Sequence, residues 1–140
     1  MKRCFPKNDD APLLTKYHDH EWGKLNLNEN YLYEMMVLES FQSGLSWQLV
    51  LDKRENFRQA FAGFNVERVA KFTSNQRKQL LKNRGIIRNQ RKIDAAINNA
   101  RVMTKMHREG HQLCTVLTTL IPQPINSLLI YRPRIGYLET

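Results

Sequence analysis

The feature that most constrains the fold of this chain is a succession of short segments with helical periodicity, each bounded by a capping residue or a glycine. Asn28 or Asn30 can cap a first helix that Gly44 ends, and Ser46 can cap a second helix that Gly63 closes. Strand signals are nearly absent before residue 110. The pattern therefore predicts an all-α body.

Further helix boundaries follow the same chemistry. Asn65 can open a short third helix, and Thr73 with Gln76 at capping-box spacing marks a fourth helix that ends near Arg84. Gly85 suits the left-handed position just past the end of that helix. Two helices that flank a glycine-led turn are therefore expected around residue 85.

A fifth helix is predicted from Asn89 toward Gly110. Its inner side is formed by Ile93, Ala96, Ile97, Ala100, Met103 and His107. After Gly110 the composition changes, because no Asp, Glu, Lys or Arg occurs up to Tyr131 and β-branched residues and prolines replace the amphipathic pattern. Residues 111–140 therefore read as a divergent or aberrant tail of a single domain over 1–140, with no structure assigned.

One carboxylate raises a question about burial. Leu32, Met35, Met36 and Glu39 recur at helical spacing and predict a single buried stripe that includes a charge. An unpaired buried carboxylate costs several kcal/mol or becomes protonated. We therefore expect Glu39 to be paired either with a cation of the fold or with a ligand.

The balance of charge points to a polyanionic partner. The chain has 140 residues with 22 Lys and Arg against 13 Asp and Glu, which gives a net charge of +9. Nine cations and no acidic residue lie between positions 68 and 93: Arg68, Lys71, Arg77, Lys78, Lys82, Arg84, Arg88, Arg91 and Lys92. A solvated helical face could carry such a run, but here the run surrounds the turn at Gly85. Amide groups of such a turn can bind phosphate, so DNA binding is favoured over a simple helix stop.

The residues KYHDHEWG at positions 16–23 combine aromatic, acid–base and metal-ligand types. Two histidines together with Cys4 make an incomplete zinc set, because the paired spacings of a zinc finger are missing. No signal peptide or membrane-length apolar run is present, so reduced cysteines and a cytoplasmic location are expected.

Six segments at consistent spacing carry a family resemblance. They are RC at Arg3 and Cys4, YHDHEWG from Tyr17, LYEMMVLESFQSGLSW from Leu32, VLDKRENFRQAF from Val50, GIIRNQRKI from Gly85 and INNAR from Ile97. On these segments, within residues 1–110, the chain resembles the bacterial DNA-3-methyladenine glycosylase I family. The resemblance implies a helix-hairpin-helix glycosylase bundle that removes 3-methyladenine from double-stranded DNA by hydrolysing the N-glycosidic bond.

The resemblance also implies roles for the aromatic and acidic residues. A 3-methylated adenine is cationic in DNA and leaves as a neutral base, so recognition can rest on charge complementarity. Glu39 is then the catalytic carboxylate, Tyr17 and Trp47 flank or hydrogen-bond the flipped base, and Trp22 shapes the pocket. Aromatic faces attract a cation by up to about 2 kcal/mol when desolvated.

DNA-binding positions follow from the same resemblance. Gly44 and Leu45 match a loop that approaches the gap left by the flipped nucleotide, where an apolar wedge stabilises the unstacked duplex. Gly85, Ile86 and Arg88 belong to the hairpin that binds the DNA backbone. No lysine stands in the matched pocket motif, so a monofunctional enzyme without strand cleavage is expected.

A structural zinc site that joins the two ends of the chain is the last implied feature. Cys4 and His18 match two of its ligands, whereas the other two belong to a closing C-terminal segment that residues 111–140 do not match. Zinc is therefore expected to be lost or incompletely bound. The alternative to a monomeric glycosylase is a non-catalytic helix-hairpin-helix DNA-binding remnant, and a helical scaffold without a nucleic-acid role is a third reading.

Overall fold

A computed structural model describes residues 11–120 of the chain. Over this range the protein is all-α, as predicted, and no strand occurs in it. The helices are α1 (Pro12–His20), α2 (Glu29–Gln42), α3 (Trp47–Asp52), α4 (Arg54–Ala60), α5 (Val66–Ala70), α6 (Ser74–Lys82), α7 (Gln90–Arg108) and α8 (Leu113–Leu120), with a 3-10 helix over Ala62–Phe64. None of these helices is both long and apolar enough to cross a membrane.

The predicted helix starts are confirmed by their caps. The side chains of Asn28, Ser46, Asn65, Thr73 and Asn89 each accept a hydrogen bond from the backbone amide three residues later. At Thr73 the capping box is complete, because the side chain three residues on bonds back to the Thr73 amide. These short-range bonds satisfy amides that the first turn of a helix leaves without a partner.

Two boundaries differ from the prediction. The helix expected from Ser46 to Gly63 divides at Lys53, whose amide bonds to carbonyls two and three residues back, so α3 ends and α4 begins there. Gly85 does not have the left-handed backbone predicted for it. A Cβ atom there would lie 3.0 Å from Asn83 Oδ1 and 3.2 Å from Asn56 Cγ, so the glycine permits a close approach of these side chains instead.

The core is built around α2 and is rich in aromatic residues. Its buried members are Tyr33, Val37, Leu38, Phe41, Val50, Phe57, Phe61, Phe64, Val66, Val69, Phe72, Leu80, Ile86, Ile93, Ala96, Ile97, Ala100 and Met103. The Tyr33 hydroxyl donates to the carbonyl of Ala96 at 2.8 Å and so joins α2 to α7. Five of the six predicted inner residues of α7 are buried as expected. The sixth, His107, is half-buried, and its Nε2 lies 2.9 Å from Glu29 Oε2.

The buried stripe predicted for α2 was wrong. Glu39 is exposed, and the three apolar residues assigned to its stripe are half-buried. The buried residues of α2 are Tyr33, Glu34, Val37, Leu38 and Phe41. Apolar residues lie on all sides of this helix, so periodicity alone could not identify the face that the other helices cover.

The buried carboxylate of α2 is Glu34, which sequence reasoning missed. Only 7% of Glu34 and 8% of Arg54 are exposed, and Arg54 Nε lies 2.6 Å from Glu34 Oε1. Arg58 Nε reaches the same oxygen at 2.9 Å. The terminal nitrogens of Arg54 bind both oxygens of Glu21 at 2.7 and 2.9 Å. This ion-pair network joins the residue that follows α1 to α2 and α4.

Helix α8 lies in the segment that carried no structural assignment, and Glu29 of α2 holds its N-terminus. The two carboxylate oxygens of Glu29 accept from the amides of Leu113 at 3.0 Å and Cys114 at 2.7 Å. Burial alone would raise the pKa of Glu29, but the hydrogen bonds from Cys114, His107 and Leu113 outweigh it and lower the pKa. A carboxylate at a helix N-terminus is favoured because it meets free amides and the positive end of the helix dipole.

Candidate functional site

Five side chains, four of them from three helices and one from the turn after α1, surround an open recess of about 430 Å³, here called the recess. Tyr17 comes from α1, Trp22 follows that helix, Glu39 and Gln42 come from α2, and Trp47 begins α3. The structure thus brings together the predicted catalytic residue and all three predicted substrate-binding residues. Glu39 and Gln42 share a face of α2 because they are three residues apart.

Aromatic rings form two sides of the recess. The rings of Tyr17 and Trp47 meet edge to face, with centroids 5.3 Å apart and an angle of 68°. The Trp22 ring stacks on His18 at 5.4 Å and 14°, and half of Trp22 remains exposed. A planar ligand can therefore contact aromatic surface without displacing core residues.

Three side chains of the recess carry polar groups whose protonation or hydrogen-bond partners the structure defines. Burial raises the pKa of Tyr17, and the charges of Glu39 and Glu21 raise it further, so the phenol stays protonated and can donate. The indole Nε1 of Trp47 is buried and has no acceptor within the described part of the chain. Glu39 makes no ion pair within residues 11–120. The recess therefore offers a carboxylate acceptor beside a protonated phenol and aromatic rings, which suits a flat, positively charged ring.

Gln42 is a lining residue that sequence reasoning missed. Its position three residues after Glu39 was the available signal, since both project from the same face of one helix. The Gln42 side chain donates to the carbonyl of Leu45 at 3.2 Å, so it also contacts the residues that follow α2.

Residues 43–46, here called the wedge loop, connect α2 to Trp47. Gly44 has a φ of 83°, a left-handed conformation that favours glycine. Leu45 is 38% exposed, and its amide donates to the Gln42 carbonyl at 2.6 Å. The two predicted wedge residues therefore lie in the loop between Gln42 and Trp47, which both line the recess, and the Leu45 side chain is partly open to a partner.

The turn between α6 and α7, residues 84–89, here called the basic turn, is held from inside. The Asn83 side chain accepts from the Gly85 amide at 2.8 Å, and Asn56 Nδ2 of α4 donates to the Gly85 carbonyl at 3.2 Å. Ile86 was predicted as a DNA-binding residue, but its side chain is buried in the core. The amides of Ile87 and Arg88 have no acceptor within residues 11–120 and could bind a phosphate.

Two of the nine cations between positions 68 and 93 form hydrogen bonds within the protein. Arg77 makes a two-bond ion pair with Asp94, and the Lys92 ammonium donates to two backbone carbonyls. The hydrogen bonds from Arg77 lower the pKa of Asp94. The remaining cations are exposed and make no ion pair in the described chain: Arg68, Lys71, Lys78, Lys82, Arg84, Arg88 and Arg91. They leave an uncompensated positive surface around the basic turn.

His18 is the proposed zinc ligand that the structure describes, whereas Cys4 lies outside the described residues. The His18 ring is largely buried against Trp22, and Nδ1 lies 3.1 Å from Asp19 Oδ1. Within residues 11–120 no three His, Cys, Asp or Glu side chains are grouped as a metal site would require. The described residues alone therefore do not make the four-ligand site of a structural zinc.

The sequence is similar to that of known DNA glycosylases. A family model for methyladenine glycosylase matches residues 7–130. The chain is 43% identical over 110 residues to DNA-3-methyladenine glycosylase 1 of Escherichia coli, covering 79% of this chain and 58% of that protein. It is 34% identical over 119 residues to DNA-3-methyladenine glycosylase of Haemophilus influenzae, covering 85% and 64% respectively. The chain thus spans about three fifths of the length of these curated relatives.

The fold comparison agrees with the sequence comparison. A crystal structure of 3-methyladenine DNA glycosylase I matches with a TM-score of 0.79 and 41% identity, covering 84% of this chain and 64% of that one. The matched family region continues to residue 130, beyond Arg101, where the quoted motifs end. The single-domain boundaries stay a prediction. On the family match, the sequence identity and the shared fold, the chain belongs to the methyladenine glycosylase family.

Proposed function

We propose that this chain is a monofunctional DNA repair glycosylase that hydrolyses the N-glycosidic bond of 3-methyladenine in alkylated DNA. The observation that carries the proposal is the recess, where Glu39 has no ionic partner among residues 11–120 and lies beside the rings of Tyr17 and Trp47. The relatives named for this reaction support the choice of base.

The chemistry needs little acid catalysis. In the alkylated nucleotide the base already carries a positive charge, so breaking the bond to C1′ lets the base leave as a neutral molecule. Water then adds to C1′, its proton passes to solvent, and an abasic sugar remains. The Glu39 carboxylate favours the cationic base over neutral adenine, and aromatic faces add up to about 2 kcal/mol when water is excluded.

DNA binding is proposed to use a helix-hairpin-helix arrangement of α6, the basic turn and α7. The amides of Ile87 and Arg88 would contact a phosphate, and the exposed cations around them would neutralise its neighbours. Leu45 of the wedge loop would occupy the gap left by the extruded nucleotide. Among the described residues no lysine lines the recess, which is consistent with hydrolysis by water instead of a covalent lysine intermediate.

The test is release of 3-methyladenine from methylated duplex DNA by the full chain. Glu39→Gln should lower the single-turnover rate by at least tenfold, because it removes the charge that faces the base. Glu67→Gln on α5 is the matched control, since Glu67 is exposed and has no ion pair within the described chain. Equal rates for Glu39→Gln and the unmodified chain would contradict the proposed role of Glu39.

The non-catalytic remnant predicts another outcome of the same experiment. No base would be released, while duplex binding would persist, depend on salt and weaken on Arg88→Ala. Absent or salt-independent binding would instead favour a helical scaffold. Base release by the unmodified chain excludes both readings.

Three further properties stand as proposals. Cys4 and His18 would supply two ligands of a structural zinc, and metal content before and after Cys4→Ser tests this. A monomeric state is tested by sedimentation, and a cytoplasmic location by fractionation of cells that express the chain.

A further inference from the structure

The Lys92 ammonium is bound at the end of another helix. Lys92 Nζ donates to the carbonyl oxygens of Phe41 at 2.8 Å and Ser43 at 2.7 Å. These carbonyls lie at the C-terminal end of α2, where the last turn leaves acceptors without partners and the helix dipole is negative. The ammonium therefore caps the helix that carries Glu39 and Gln42.

The backbone of the same residue belongs to the first turn of α7. The Lys92 amide donates to the side chain of Asn89, which caps this helix, at 3.2 Å. A positive charge in the first turn would oppose the dipole of its own helix. By extending to the end of α2, the Lys92 side chain places its charge where a cation is favoured and connects two parts of the DNA-facing surface.

Lys92 connects two segments that are proposed to contact DNA in different ways. On one side is the basic turn, where the amides of Ile87 and Arg88 have no acceptor within the described residues. On the other is the wedge loop, which begins at Ser43 and contains Leu45. Among the described residues, Lys92 is the side chain that hydrogen-bonds the first residue of the wedge loop from α7.

We propose that Lys92 is a positioning residue that fixes the wedge loop relative to the basic turn. Binding of the DNA backbone at the turn then sets Leu45 at the gap left by a displaced nucleotide. The inference rests on the proposed function. It assigns Lys92 a role in holding the wedge loop, in place of the phosphate contact that its position in the sequence suggests.

The experiment compares three variants on two duplexes. Lys92→Met removes the ammonium and keeps an apolar stem of similar length, and Lys92→Arg keeps a cationic donor. Lys78→Met is the charge-matched control, because Lys78 is exposed on α6 and has no ion pair within residues 11–120. Binding to an intact duplex and to one with a tetrahydrofuran abasic site is measured by anisotropy over a series of salt concentrations.

We expect Lys92→Met to lose about tenfold of the preference for the abasic duplex, since it removes two charge-assisted hydrogen bonds, while its salt dependence stays unchanged. Lys78→Met should show the reverse: an unchanged preference and a salt slope smaller by up to about one. Lys92→Arg should restore most of the preference. Hydrogen exchange of the free protein should be faster at the Leu45 amide in Lys92→Met and unchanged in the middle of α7.

Several results would overturn the proposal. They are a smaller salt slope with retained preference in Lys92→Met, unchanged exchange at Leu45, or an unmodified chain with no preference for the abasic duplex. Neither measurement requires base release. A chain that prefers the abasic site and loses this through Lys92→Met, yet releases no 3-methyladenine, would retain the positioning role and refute the glycosylase.

Discussion

Replacing Arg54 by Met tests the ion-pair network that holds the end of α1 beside α2. Met has a similar length and no charge, so the change removes the ionic bonds and leaves most of the packing. Within residues 11–120, Glu34 would keep only the bond to Arg58 at 2.9 Å, and Glu21 would keep only the bond from the Tyr31 hydroxyl at 3.1 Å. A buried carboxylate would thereby lose its buried partner.

The magnitude follows from the burial of each group. Breaking a buried ion pair by removing one partner costs roughly 3–5 kcal/mol. Here the Glu21 side chain is 26% exposed and Arg58 still faces Glu34, so the cost is reduced. We expect the free energy of unfolding to fall by about 2–3 kcal/mol, with a melting temperature lower by roughly 5–10 °C.

Urea unfolding followed by far-ultraviolet circular dichroism at pH 7 measures this change. Arg58→Met is the matched control on the same helix, because its side chain is 41% exposed and it loses one bond to Glu34 and an exposed ion pair with Glu55 at 3.6 Å. We expect the control to cost less than about 1 kcal/mol. A loss below about 0.5 kcal/mol for Arg54→Met, or equal losses for both variants, would refute the reasoning from burial.

The same variant has a predictable pH dependence. Burial alone would raise the pKa of Glu21, but the hydrogen bonds and charge of Arg54 outweigh burial and lower it from the usual 4.5. A lowered folded-state pKa adds stability that is complete above the unfolded-state pKa and is lost as the pH falls through the folded-state pKa. The difference in unfolding free energy between wild type and Arg54→Met should therefore narrow below about pH 4.5.

Three further changes have defined outcomes. Glu29→Gln removes the charge at the N-terminus of α8, which should weaken that helix by about 1–2 kcal/mol and speed hydrogen exchange over 113–120 but not in mid-α7. Gly85→Ala places a Cβ atom 3.0 Å from Asn83 Oδ1 and should lower unfolding stability by about 1 kcal/mol and weaken duplex binding. Thr73→Ala removes the capping box and should lower stability in urea by about 1 kcal/mol without changing the salt slope of DNA binding. Unchanged hydrogen exchange over 113–120 in Glu29→Gln, or unchanged unfolding stability in Gly85→Ala or Thr73→Ala, would contradict the corresponding contact.

The parts of the fold that the sequence could predict depend on neighbours within one turn of a helix. Ser46, Asn65 and Thr73 each cap a helix by bonding to an amide three residues away, so the relevant partner is visible in the sequence. Burial in α2 depends instead on helices far along the chain, and apolar residues surround that helix. This is why Glu39 was assigned to the buried face and Glu34 was overlooked.

The candidate site shows the same division. Tyr17, Trp22, Glu39 and Trp47 were identified through the family resemblance, and the fold brings them to one recess. The task of Lys92 could not be read from its position, because in sequence it is one of nine cations around a turn. Only the approach of α7 to the end of α2 reveals that its ammonium is already bound.

The contrast between the two carboxylates of α2 bears on selectivity. Glu34 is buried and bound by two arginines, so the fold itself compensates its charge. Glu39 is exposed, and water can solvate it in the free protein at little cost. A base that enters the recess removes part of that water, and the attraction between its charge and Glu39 strengthens as the local dielectric constant falls. Neutral adenine would remove the same water without supplying a charge. Under the proposed function, selectivity for the cationic base therefore arises when the base binds and does not require a carboxylate that is buried beforehand.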